Sequence, residues 1–300
     1  MKPSLRYIAL TGLLRATRFR FRMLRDAPAG RTRCTVPRGR DTKRWVRGEF
    51  DGRAVWTCHP VSGPTETVYI HMHGGGYVYG LLPTHYSALR EVCDHADVSV
   101  ILPDYPLPPD ARAPQIIDWA DRYVARAVDR HGLAEVTLGG CSAGGNLALA
   151  VLQSRAARGE ANPAHTVLWS PWLDLTPFDT PPTKADDYEA LISPFALEPA
   201  VAAYIGDSGM DRTDPLISPA NMSLGGVGTL HIVTGERDVL FPAIDVFAER
   251  ARAAGVLGHY QREPELGHYW MFYPVPDRHP TLRQIAGWLR EFVSNSRGES

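Results

Sequence analysis

With 300 residues, 44% of them hydrophobic and 9% aromatic, the chain can bury a sizeable core, and 32 basic against 33 acidic residues leave a net charge of −1. That excludes a disordered chain, and no stretch approaches the roughly 20 apolar residues of a membrane-spanning helix. Cys34, Cys58, Cys93 and Cys141 lie far apart with no CxxC pair, which fits neither a zinc knuckle nor a disulfide framework and points to a reduced, cytoplasmic setting.

The neutral total hides an asymmetry. Residues 1–53 hold 15 Lys and Arg against 4 Asp and Glu, a net of +11, so the remainder carries −12. The first 25 residues have seven basic side chains, no acid and a short apolar run over 7–14. A signal peptide has this order of regions, but Arg15 and Arg18 stand where a small-residue cleavage site belongs. Leu5, Ile8, Ala9, Gly12 and Leu13 recur at helical spacing, which predicts an amphipathic helix docked on the body of the protein; a peripheral membrane contact is the sharper alternative. A possible counterpart is the stretch 174–214, whose nine acids (Asp174, Asp179, Asp186, Asp187, Glu189, Glu198, Asp207, Asp211, Asp214) face only Lys184 and Arg212 in sequence. No aromatic-interleaved basic module is present, so nucleic acid is not an expected partner.

A hairpin is predicted over 45–56, around Asp51-Gly52. From residue 68 onward short apolar runs (68–72, 98–102, 136–138, 166–169, 230–234) alternate with helical patterns (114–130, 143–157, 242–254, 281–293). This is the pattern of a mostly parallel sheet covered on both faces. The stretch 175–228 breaks it, being rich in Pro, Gly and Asp with one short helix around 194–204. An insertion of that length reads as a lid or binding element.

Three signals carry chemistry. Gly140-Cys141-Ser142-Ala143-Gly144 is a G-x-S-x-G between a strand and a helix, where a strained turn would expose the serine hydroxyl beside a helix N-terminus. His73-Gly74-Gly75-Gly76 follows a strand, and its bare amides suit an oxyanion site; His73 would hold the loop's shape by hydrogen bonding. His71 and His73 also read as an H-x-H metal pair, but no further ligand cluster accompanies them. The third signal is order: a serine, then an acid, then a histidine. Asp238 follows the strand at 230–234 and His268 lies in Leu266-Gly267-His268-Tyr269, with Glu236 as rival acid and His259 and His279 as rival bases.

On these residues the chain resembles the hormone-sensitive lipase-like family of α/β-hydrolases, from about residue 68 to the C-terminal helix. Asp104-Tyr105 with 108–113, Ser170-Pro171-Trp172-Leu173-Asp174-Leu175-Thr176, and Asp214-Pro215-Leu216-Ile217-Ser218-Pro219 are similar to that family's post-strand loop and the segments leading into and out of its cap. The resemblance implies a single α/β-hydrolase domain over 1–300, with cap elements from about 1–30 and 175–228. It implies Ser142 as nucleophile, His268 as base and Asp238 as acid, Gly75, Gly76 and Ala143 as oxyanion donors, and supporting places for His73, Gly74, Gly140 and Gly144. Short- to medium-chain esters or lactones are the implied substrates, without cofactor or metal, in a monomer or homodimer. Amide or N-acetyl hydrolysis by the same groups is the alternative. A non-catalytic ligand-binding relative is disfavoured, because the gibberellin receptors, which resemble this family, lack the histidine. Three departures stand out: Cys141 in place of an acid before the serine, Pro106 in place of an Arg, and Tyr77 after the glycines where Trp or Phe is commoner.

Overall fold

The computed structural model describes residues 1–18, 34–177 and 189–297. Expectations that fall on 19–33 and 178–188, including parts of both cap stretches and Asp179, Lys184, Asp186 and Asp187, lie outside the described residues.

Helix α1 (Leu5–Ala16) opens on Ser4, whose Oγ accepts the Tyr7 N–H at 3.2 Å. It docks on the body, but by another face than the spacing suggested. Tyr7 and Thr11 are buried, while Leu5 is 84% and Leu13 61% exposed. The reason is polar: the Tyr7 hydroxyl accepts the N–H of Gly267 at 2.7 Å, and Thr11 donates back to the Tyr7 carbonyl at 2.9 Å. These two side chains can therefore enter the interior with their polar atoms satisfied.

The predicted hairpin is β1 (Trp45–Phe50) and β2 (Arg53–Cys58), paired antiparallel. Then come β3 (Val68–Met72), α2 (Pro83–Ala96), β4 (Ser99–Pro103), α3 (Ala113–His131), β5 (Val136–Cys141), α4 (Ala143–Ala157) and β6 (His165–Trp169). After the insertion and its helix α5 (Pro194–Ile205) follow β7 (Thr229–Gly235), α6 (Phe241–Ala253), β8 (Leu257–Glu263) and α7 (Arg278–Arg297). The strand order is β1-β2-β4-β3-β5-β6-β7-β8; β2 runs antiparallel to β1 and β4, and the other pairs are parallel. The expected doubly covered sheet is thus present, with every residue of β3, β4 and β5 buried. One apolar layer joins α3, α4 and α6 to a sheet face. A second joins α1, α2 and α7 to the other.

Two elements were not expected. Helix α2 begins on Pro83, ends at a left-handed Asp97 (φ 56°) and buries Tyr86, Leu89, Val92 and Cys93. Strand β8 buries only Glu263, so as an edge it needs no apolar run. Among the described residues no helix is long and apolar enough to cross a membrane.

Candidate active site

The C-terminal ends of β3, β5 and β7 and the loop after β8 meet at one point, the usual location of a site in such a sheet. At the end of β5, Ser142 takes φ 51°, ψ −120°, a left-handed conformation costly for a residue with a Cβ. It is held there from both sides. Its N–H donates to the Trp169 carbonyl and its own carbonyl accepts from Trp172, each at 3.0 Å. Gly144 permits the turn by close approach, because a Cβ at that position would lie 2.0 Å from the Met72 carbonyl oxygen and 2.5 Å from that of His73. Gly144→Ala is therefore expected to force the start of α4 away from the end of β3 and to cost about 3 kcal/mol of stability. Urea unfolding measures it, and a midpoint equal to the wild type would show that the elbow can relax around the methyl group.

The His268 Nε2 lies 3.0 Å from Ser142 Oγ, and its Nδ1 lies 2.6 Å from Asp238 Oδ2. Asp238 is fully buried and its Oδ1 accepts the N–H of Leu240 at 2.9 Å, which fixes the carboxylate. Burial pulls His268 down, but the charge and hydrogen bond of Asp238, with Glu189, outweigh it and leave the imidazole above its ordinary value. The rivals are engaged elsewhere. Glu236 pairs with Arg262 at 3.0 Å, His259 with Glu291 at 3.1 Å and His279 with Glu91 at 2.6 Å.

The glycine loop after β3 is fastened to the same point. The Gly74 N–H donates to Cys141 Sγ at 3.0 Å, so the thiol that stands in place of an acid ties the loop to the strand before Ser142. Burial pushes that thiol up to about 12, which keeps it protonated. The His73 ring stacks on Tyr105 at 4.1 Å, its Nδ1 lies 2.8 Å from the Gly74 carbonyl, and the Tyr105 hydroxyl donates to the His73 carbonyl at 2.6 Å. Gly75 sits at φ +124°, where a Cβ would lie 2.4 Å from the Tyr79 carbonyl oxygen. Ala143 opens α4, so its N–H has no carbonyl four residues back in that helix. Gly140, at the end of β5, backs directly onto Gly144.

The remaining departures have visible neighbours. Tyr77 donates to Asn146 Oδ1 at 2.6 Å and stacks on Tyr204 of α5 with ring centres 3.7 Å apart, while Asn146 donates to the carbonyls of Trp172 and Ile217. Pro106 has no guanidinium to offer, and Arg53 of β2 pairs with Asp104 at 3.1 Å. His71 faces the Tyr69 hydroxyl at 2.8 Å, and among the described residues no group of three or more His, Cys, Asp or Glu is placed to hold a metal ion.

One residue of the site escaped the sequence reading. Glu189 stood among nine acids taken as a charged stretch, yet it is 1% exposed, and its Oε2 accepts the N–H of His268 at 2.8 Å. Nothing in its local pattern separates it from the other eight.

A serine on a strained strand-to-helix turn, facing a buried histidine and aspartate above an eight-stranded mostly parallel sheet, is the build of an α/β-hydrolase. The chain belongs to that family, whose model, described as alpha/beta hydrolase fold, matches residues 69–272. Within it, the chain is an esterase- and lipase-type member, similar to the hormone-sensitive lipase-like group. An esterase of Acinetobacter venetianus is 31% identical over 77% of this chain and 75% of its own, and an acetyl-hydrolase of Streptomyces hygroscopicus is 31% identical over 87% and 82%. A hormone-sensitive lipase from a metagenome library has the same fold, with a TM-score of 0.80 at 24% identity over 95% of this chain and 98% of that one.

Proposed function

We propose that the chain hydrolyses carboxylic esters of short to medium acyl length, or lactones, through an acyl-enzyme on Ser142. The observation that carries this reading is the run of contacts from Ser142 Oγ through His268 to Asp238, at 3.0 and 2.6 Å. His268 takes the serine proton as Oγ attacks the ester carbonyl, and Asp238 steadies the imidazolium. The oxyanion is received by the N–H groups of Gly75, Gly76 and Ala143, each worth a factor of about 10² to 10³ in rate. His268 then protonates the departing alcohol and activates a water that releases the acid.

Residues 1–30 and 175–228 are proposed as cap elements that bound the acyl pocket, and the Tyr77–Tyr204 stack supports the second of them. The acetyl-hydrolase relative favours a second reading, in which the group removed is an acetyl carried on oxygen or nitrogen. Matched p-nitrophenyl acetate and p-nitroacetanilide distinguish the two leaving atoms.

The wild-type chain is expected to turn over p-nitrophenyl acetate and to take up one equivalent of a fluorophosphonate at Ser142, while Ser142→Ala does neither. Equal hydrolysis by the two proteins would remove the assignment. Retained probe uptake by Ser142→Ala would move the nucleophile elsewhere.

A further inference from the structure

Glu189 is a buried carboxylate at the site that this mechanism does not use. Besides the bond from His268 to Oε2, its Oε1 accepts the N–H groups of Ala190 and Leu191 at 2.8 and 2.7 Å. The segment leading into α5 is thereby tied to the loop that carries His268. Gly267 makes room for the contact, since a Cβ there would lie 3.1 Å from Glu189 Oε2.

We propose that Glu189 is a positioning residue for the reaction, its carboxylate fixing the backbone of His268 and adding to Asp238 a second negative charge that favours the imidazolium. The inference rests on the assignment of Ser142, His268 and Asp238 given above. A carboxylate removed from water is costly to keep, and an apolar side chain would fill the space without that cost. What the carboxylate provides is acceptors for three backbone donors and a charge within the same loop cluster.

Groups from several elements face it among the described residues. Asp238 and His268 come from the loops after β7 and β8, Tyr7 from α1, and Tyr273 from the segment after His268. Arg237 and Asp277 act on Tyr7 with opposite sign. Burial and the charge of Asp238 push Glu189 up, His268 and the backbone donors pull it back, and it settles at about 7. Each group acts on the other, His268 lowering Glu189 and Glu189 raising His268, so the two titrations are linked.

The base works when neutral, so its protonation sets the acid limb of kcat/KM. Removing a charge that favours the imidazolium lowers that limb. Glu189→Gln is expected to move the acid limb for p-nitrophenyl acetate about half a unit to one unit toward lower pH and to reduce kcat about tenfold. Glu189→Asp, which keeps the charge, leaves the limb where the wild type has it. In the wild-type chain, the His268 imidazole resonances titrate in two coupled steps, and this holds even if the Gln variant does not fold. A Glu189→Gln profile superimposable on the wild type overturns the proposal, as does an equal shift in the Asp variant or a single-step imidazole titration. Failure of the triad assignment looks different, because the wild type itself would then show no serine-directed labelling.

Discussion

Asp238→Asn is expected to lower kcat for p-nitrophenyl acetate by about 10⁴-fold while the melting temperature falls by only a few degrees. The fold tolerates the change because the bond from the Leu240 N–H to Oδ1 survives in an amide of the same shape. The chemistry does not, and the reason is the tautomer. A carboxylate 2.6 Å from Nδ1 holds a proton there and leaves Nε2 bare toward Ser142 Oγ. An amide NH₂ in that place pushes the ring to the opposite tautomer, so an N–H faces the hydroxyl and nothing is left to accept its proton. Loss of the adjacent charge also removes the larger of the two carboxylate influences that hold His268 above its ordinary value against burial. Glu236→Gln is the paired control, because its partner is Arg262 at the surface; its kcat should stay within about twofold. A loss below a hundredfold for Asp238→Asn, or a comparable loss for Glu236→Gln, would mean that the wrong carboxylate has been chosen.

What could be read from the chain follows from where its physics is local. The glycines at 75 and 140 announce themselves because a Cβ there would strike backbone four residues along, at 2.4 Å from the Tyr79 carbonyl oxygen and 2.3 Å from that of Gly144. The buried strands β3 to β7 show as apolar runs because they are covered on both faces. Edge and outer elements carry less signal. Strand β8 alternates weakly because six of its seven residues keep some contact with solvent. Helix α2 mixes His85, Arg90, Glu91 and Asp94 with its apolar side, and Arg90 and Glu91 are engaged by Asp41 and Arg278 rather than left free. Helix α1 misled by hydrophobicity: it is fastened to the body by the Tyr7 hydroxyl at Gly267, by Ser4 at Asp277 and by the Met1 amine at Glu263, which a count of apolar residues ignores.

The same distinction separates Asp238 from Glu189. Asp238 could be found because its proposed role depends on chain order after a strand and before a histidine. Glu189 reaches His268 from 79 positions away, at the mouth of an insertion whose path no periodicity describes. Its burial is a property of the assembled site alone. Sequence thus marks residues whose place follows from chain order around the strands, and misses one that reaches the same point from an irregular segment.

Lowering the pH from 7 to 5 is expected to drop the melting temperature by about 6 °C, through histidines outside the proposed triad. Burial holds His71 near 3, His73 near 4 and His231 near 3, and pushes His85 well below its ordinary value. The sign follows directly. In the unfolded chain these rings take up a proton around pH 6.5; in the folded chain they do not, so the unfolded state binds more protons and stability falls with pH through this window. At pH 5 each fully neutral ring costs about 2 kcal/mol, or about 8 kcal/mol for four. Two groups oppose this. Glu189, raised to about 7, and His268, raised above its ordinary value, bind protons more readily when folded and recover part of the loss. A net of about 4 kcal/mol then corresponds to the stated shift for a chain of this size. At one of these rings a polar neighbour makes the neutral form structural: the His231 Nδ1 accepts the His259 N–H at 3.1 Å. That acceptor cannot exist on an imidazolium. Calorimetric scans at intervals between pH 7 and 5 in buffers of constant ionic strength give the slope; a flat melting temperature across that range would show that the rings reach water before the fold gives way.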